Sequence, residues 1–124
     1  MEDFDIKVAA LLKHFDLELT EENAETVSEC GYGNETFEIE SEPGEYRILT
    51  ASEREDAVDE ALENYIDECI MPECPEPVRS YFDRDAWKRD ALISDGYGHT
   101  LSGYDGEEHE YQIDGGWLYI YRVN

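Results

Sequence analysis

Residues 45–70 read EYRILTASEREDAVDEALENYIDECI, and the hydrophobic period changes in the middle of them. From Glu45 to Thr50 the pattern is that of a strand, carrying Tyr46, Ile48 and Leu49. From Ala51 onward Val58, Ala61, Leu62, Tyr65, Ile66 and Cys69 fall on one face of a helix. Thr50 marks the junction, because a Thr followed three residues later by Glu53 is a capping box. Pro72 and Pro75, which cannot continue a helix, end it near Ile70. A strand running directly into a capped helix excludes an all-α or all-β chain.

Working outward, Thr36 to Glu40 alternates in the same way, with Phe37 and Ile39. With Glu42-Pro43-Gly44 as the turn, it forms a hairpin with residues 45–50. Further upstream, Phe4, Val8, Leu11, Leu12 and Phe15 make the stripe of an amphipathic helix over Asp3 to Phe15. Thr20 then opens a second, short helix that ends near Cys30. Downstream, Tyr81, Phe82, Trp87, Ala91 and Leu92 indicate a helix over Val78 to Ile93, followed by a Gly-rich loop from Asp95 to Gly106. Two closing strands, Glu108 to Ile113 and Trp117 to Val123, flank Asp114-Gly115-Gly116, and the alternation of Trp117, Tyr119 and Tyr121 turns one ring face to the core. The expected fold is α+β: a single acidic domain over residues 1–124, with a small antiparallel sheet from two hairpins and three to four helices packed on one face.

Charge decides which functions remain. The 124 residues carry 33 Asp and Glu against 9 Lys and Arg, a formal charge of −24. Direct binding to nucleic acid or to anionic lipid needs clustered cations, so neither is expected. No run approaches the roughly 18 apolar residues of a membrane span, and the first residues lack the basic-then-apolar pattern of a signal peptide. A cytoplasmic protein is expected, in the host cell if the chain is phage-encoded. Nine Tyr, four Phe and two Trp separate it from acidic disordered tails, which are poor in aromatics.

On the helix from Ala51, residues Glu53, Asp56, Glu60, Glu63 and Asp67 recur at steps of three and four, with Asp59 beside them. At about 1.5 Å of rise per residue their carboxylates stand roughly 5 to 6 Å apart along the axis, comparable to phosphates on a DNA strand. Like charges at these steps destabilise a helix, so stability alone would interleave lysines. The total charge also has nucleic-acid density. At one charge per about 1.7 Å of duplex, 24 charges match roughly 40 Å of DNA, close to the diameter of a globule of this length. A solubilising surface and halophilic adaptation are the plainer readings of such acidity. Against the latter stand 21 Glu to 12 Asp and eight Ile.

Catalytic and metal signals are weaker. His99, Asp105, Glu107, Glu108 and His109 gather in sequence, but their spacing matches no established metal or acid–base motif. Cys30, Cys69 and Cys74 lack a zinc spacing, and an odd number of thiols suits a reducing compartment. Gly31-Tyr32-Gly33 and Gly96-Tyr97-Gly98 read as turns, not phosphate cradles. Four cations, Arg79, Arg84, Lys88 and Arg89, are expected to neutralise local carboxylates through pairs such as Asp85 with Arg89. No catalytic residue, metal or cofactor is expected, and the chain is read as a non-enzyme.

The run RSYFDRDAWKRDALISDG, residues 79–96, resembles the C-terminal motif of ArdA-type antirestriction proteins through Tyr81, Asp83, Ala86, Arg89 and Asp90, with Tyr119-Ile120-Tyr121 standing for their closing strand. Residues 98–107 and 119–124 are also similar to stretches in small acidic phage proteins. The resemblance covers about the last third of the chain and implies a homodimer that blocks a restriction enzyme, although the other modules of that family are missing. Residues and resemblance together lead to a DNA-mimic inhibitor of a basic host defence protein, a restriction enzyme or a CRISPR effector. Glu53, Asp56, Asp59, Glu60, Glu63 and Asp67 are its expected phosphate-mimicking residues, joined by Asp83 and Asp90. The alternatives are an acidic adaptor for another basic protein, and a small metal-dependent enzyme around His99 and His109.

Overall fold

A computed structural model of the protein describes residues 5–30 and 35–124. Five antiparallel strands form one sheet in the order β1-β2-β3-β5-β4: β1 Val27–Glu29, β2 Thr36–Ile39, β3 Glu42–Thr50, β4 His109–Ile113 and β5 Gly116–Arg122. The helices are α1 Ile6–His14, α2 Glu21–Ala24, α3 Ala51–Tyr65, α4 Glu76–Arg79 and α5 Arg84–Leu101. None of them is long and apolar enough to cross a membrane. The α+β class is as the sequence implies, but its layering differs.

The central strands are buried on both faces. On β3, Tyr46 and Ile48 point to one side and Leu49 to the other; on β5, Leu118 and Ile120 oppose Tyr119 and Tyr121. Ala9, Ala10, Leu11 and Leu12 of α1 cover the first face together with Phe37, Ile39 and Ile113. Ala57, Val58 and Leu62 of α3, with Leu101 of α5, cover the second. The helices therefore sandwich the sheet and do not share one face. Residues 117–121, WLYIY, are a nearly continuous apolar run of the kind that marks a strand buried on both sides.

The capping box forms in full: the Thr50 hydroxyl accepts from the Glu53 N–H, and the Glu53 carboxylate accepts from the Thr50 N–H. A π-helical turn, Ile66–Ile70, extends α3 to the expected end before the Pro72 turn. The first helix is α1, and Phe4 of its expected stripe lies outside the described residues, as do Gly31, Tyr32 and Gly33.

Four boundaries need correction. The second helix stops at Ala24, and Val27–Glu29, expected to be helical, is the edge strand β1. Ile39 pairs with Glu42, so the hairpin turns at Glu40-Ser41, while Glu42-Pro43-Gly44 opens β3. The helix expected over Val78 to Ile93 is divided into α4 and α5, because Asp83 caps a fresh start by accepting from the Ala86 N–H. The loop expected from Asp95 is realised at Gly96, whose φ of 79° and ψ of 174° break the helix, but the chain then returns to helix as far as Leu101.

Gly98 shows what holds that last turn. A Cβ there would stand 2.9 Å from both Glu107 C and Glu108 N, and closer still to the Gly106 carbonyl oxygen. Backbone cannot yield as a side chain can, so Gly98→Ala is expected to cost about 2 kcal/mol of unfolding free energy in urea titration, despite alanine's higher helix propensity.

Candidate functional site

The acidic stripe of α3 faces a neighbour that local sequence does not reveal. Helix α5 runs alongside α3, and its cations reach across to the stripe. Lys88 Nζ lies 2.6 Å from Asp59 and 2.8 Å from Glu63; Arg84 pairs with Glu63 and, at 2.8 Å, with Asp67. At the other end, Lys7 of α1 meets Glu53 at 2.9 Å. Burial opposes ionisation of Glu53, but the Thr50 N–H and Lys7 hold its carboxyl below the usual value. Lys88 and Arg84 do the same for Glu63. The lysines expected between the carboxylates are thus supplied by other helices.

Of the eight expected phosphate mimics, Glu53, Asp59, Glu63 and Asp67 are ion-paired inside the fold, and Asp83 is the α5 cap. Asp56, Glu60 and Asp90 are exposed and make no ion pair among the described residues. The expected pair of Asp85 with Arg89 is not formed; Asp85 approaches Lys88 at 3.8 Å.

Uncompensated charge concentrates elsewhere. Between His14 and Tyr46 there is no Lys or Arg, and this segment carries Asp16, Glu18, Glu21, Glu22, Glu25, Glu29, Glu35, Glu38, Glu40, Glu42 and Glu45. Among the described residues only Glu35 of these makes an ion pair, with Arg47 at 2.9 Å. All the others except Glu45 are exposed. Asp16 and Glu18 lie with Gln112, Ile113 and Asp114 by the edge strand β4, but from Glu21 on the segment builds α2, β1, β2 and the start of β3, and these three strands are neighbours at the opposite edge of the sheet. The Glu40 N–H donates to the Thr26 carbonyl at 3.1 Å, tying the β2–β3 turn to the end of α2. One edge of the molecule is therefore an acidic lobe. A count of cation-free length would have found it, whereas helical periodicity favoured α3.

The histidines also regroup. His99 sits on α5 beside Ala61, Tyr65 and Trp87, while His109 on β4 points to the opposite face of the sheet. Their proximity in sequence does not become a site. Instead the His109 ring contacts that of His14, with centroids 4.8 Å apart, and His14 Nδ1 lies 2.6 Å from the Tyr111 hydroxyl. Burial and the facing His109 ring hold the His14 imidazole below its usual pKa. Asp105 and Glu107 join His109, with ligand atoms within 4.8 Å of one another. Cys30 lies with Glu38 and Glu45 and not with Cys69 or Cys74, and burial followed by the Glu45 charge raises its thiol pKa.

No family model matches the chain, and neither a curated protein nor a solved structure matches it.

Proposed function

We propose that this protein inhibits a basic DNA-binding protein of host defence, a restriction enzyme or a CRISPR effector, by occupying its DNA groove. The observation that carries the reading is the acidic lobe: eight carboxylates, from Glu21 to Glu45, without an ion pair among the described residues, at one sheet edge and in a segment with no cation of its own. Asp56, Glu60 and Asp90 add unpaired charge on the helical side. A groove evolved for phosphates would be attracted to such a surface and would exchange its counterions for it. The reading rests on this placement of charge; the resemblance of residues 79–96 to ArdA-type proteins points the same way.

The test is competition. Duplex DNA bound to a purified type I restriction enzyme, or to a guide-loaded CRISPR effector, is titrated with the protein while DNA release is followed by fluorescence anisotropy. Release should be complete at low salt and should weaken steeply between about 50 and 200 mM, as charge-driven binding does. DNA that stays bound to both targets at saturating protein rejects this function.

A further inference from the structure

We propose that His14 and His109, with Asp105 and Glu107, bind one divalent transition-metal ion of the zinc type, linking α1 to the segment that enters β4. This goes beyond the inhibitory function and does not depend on it. Two imidazoles from elements 95 residues apart converge at 4.8 Å between ring centroids; with Asp105 they line a cavity of about 220 Å³, and Glu107 stands beside His109. Clustered carboxylates alone would suit any hard cation. Adding two neutral imidazoles changes the preference towards zinc, cobalt or nickel and away from magnesium.

The geometry is near what such an ion needs. With bonds of about 2.0 to 2.1 Å, ligand atoms of a tetrahedral zinc stand about 3.3 Å apart. Glu107 Oε2 is already 3.6 Å from His109 Nε2, and the remaining separations within the Asp105, Glu107 and His109 set stay below 4.8 Å. Side-chain rotations close that difference within the three, and His14, which lies outside that set, must swing its Nε2 towards them to complete the site. Asp105 is pre-set, since its Oδ1 accepts from the Ser102 hydroxyl at 2.9 Å and the Glu107 N–H at 3.0 Å, which leaves Oδ2 unbonded. His14 is oriented by Tyr111: when its Nδ1–H donates to the phenol oxygen, Nε2 carries the free lone pair, the arrangement by which an outer partner fixes a metal-binding tautomer. The one cation lining the cavity, Arg122, is engaged elsewhere, stacked on Tyr104 at 3.8 Å and donating to the Asn124 carbonyl.

Cobalt(II) is the probe, because its visible absorption reports coordination and its paramagnetism reports position. The full-length protein is titrated in excess magnesium, which occupies non-specific carboxylate sites. One equivalent should bind with a four-coordinate spectrum, broadening the imidazole NMR signals of His14 and His109 and leaving those of His99 sharp. Zinc should displace it and raise the melting temperature, and a chelator should reverse the rise. His14→Gln and His109→Gln should each weaken binding about tenfold or more, while His99→Gln should not change it. Binding abolished by magnesium, broadening of His99, or an equal loss in His99→Gln overturns the site. The wild-type spectra decide the matter even if a variant fails to fold.

Discussion

Replacing Arg54 with alanine is expected to lower the stability of the fold by about 3 kcal/mol, a larger loss than any other single cation should produce. Its guanidinium is held between the rings of Tyr97 and Tyr119, 3.8 and 4.0 Å from their centroids. One amino group reaches Glu108 at 3.1 Å, and Glu108 also accepts from the hydroxyl of the fully buried Tyr121. Burial and the Glu108 carboxylate raise the Tyr121 pKa, so the phenol remains protonated and remains a donor. Arg54 thus ties α3 to α5 and to both central and edge strands. Its Nε is buried without an acceptor, a cost tolerated because the planar group is packed between two ring faces. Arg54→Lys should recover only part of the loss, since an ammonium group cannot stack in that slot. Arg54→Met keeps most of the packing but leaves the Glu108 charge uncompensated. Adding Glu108→Gln to Arg54→Met should therefore restore stability, although Glu108→Gln alone destabilises the wild type. That opposite sign, read from urea unfolding at fixed salt, is the signature of a coupled pair. Strictly additive effects would mean that Arg54 acts by packing alone.

The same residues show where sequence reasoning reaches its limit. The junction at Thr50 was legible because everything that makes it lies within four residues: one hydroxyl, one carboxylate and two N–H groups. The helical turn over residues 97–101 was not, because it follows a non-helical Gly96 and contains Gly98, which disfavours a helix locally, and what holds it is distant. Tyr97 stacks on Arg54 and donates to Glu55 at 2.7 Å, while Gly98 admits the backbone of residues 106–108. Strand β1 is hidden in the sequence for a related reason. Val27 is its one apolar residue, and its strand state comes from pairing with β2. In the candidate site, the α3 stripe was correctly recognised as a row of carboxylates, but its compensation by Lys88 and Arg84 depends on how two helices lie against each other. The acidic lobe is the converse case. Its lack of cations is a plain property of residues 15–45, while its unity as a surface comes from the sheet order.

Charge reversal should separate these two acidic regions. Glu22, Glu25, Glu38 and Glu40 are exposed and make no ion pair, and Glu25, the C-cap residue of α2, acts there through its backbone N–H alone. Changing all four to Lys removes no contact of the fold and relieves part of the self-repulsion of a −24 chain, so the variant should fold with undiminished stability. Its capture of a basic DNA-binding target should nevertheless fall on the order of a hundredfold or more at low salt, because each reversal turns an attraction into a repulsion across the interface. The matched variant reverses Asp59, Glu63 and Asp67. Those lysines would face Lys88 and Arg84 at distances now set by attraction, so α5 should detach from α3 and the melting temperature should drop. A third variant, Asp56→Lys with Glu60→Lys, reverses the two unpaired members of the stripe and should fold like the wild type. Inhibition measured beside thermal unfolding then assigns the contact surface. Loss of capture without loss of stability in the first variant places the target on the sheet edge. The same pattern confined to the third returns the contact to α3, and unchanged capture in both leaves the free carboxylates with no part in binding.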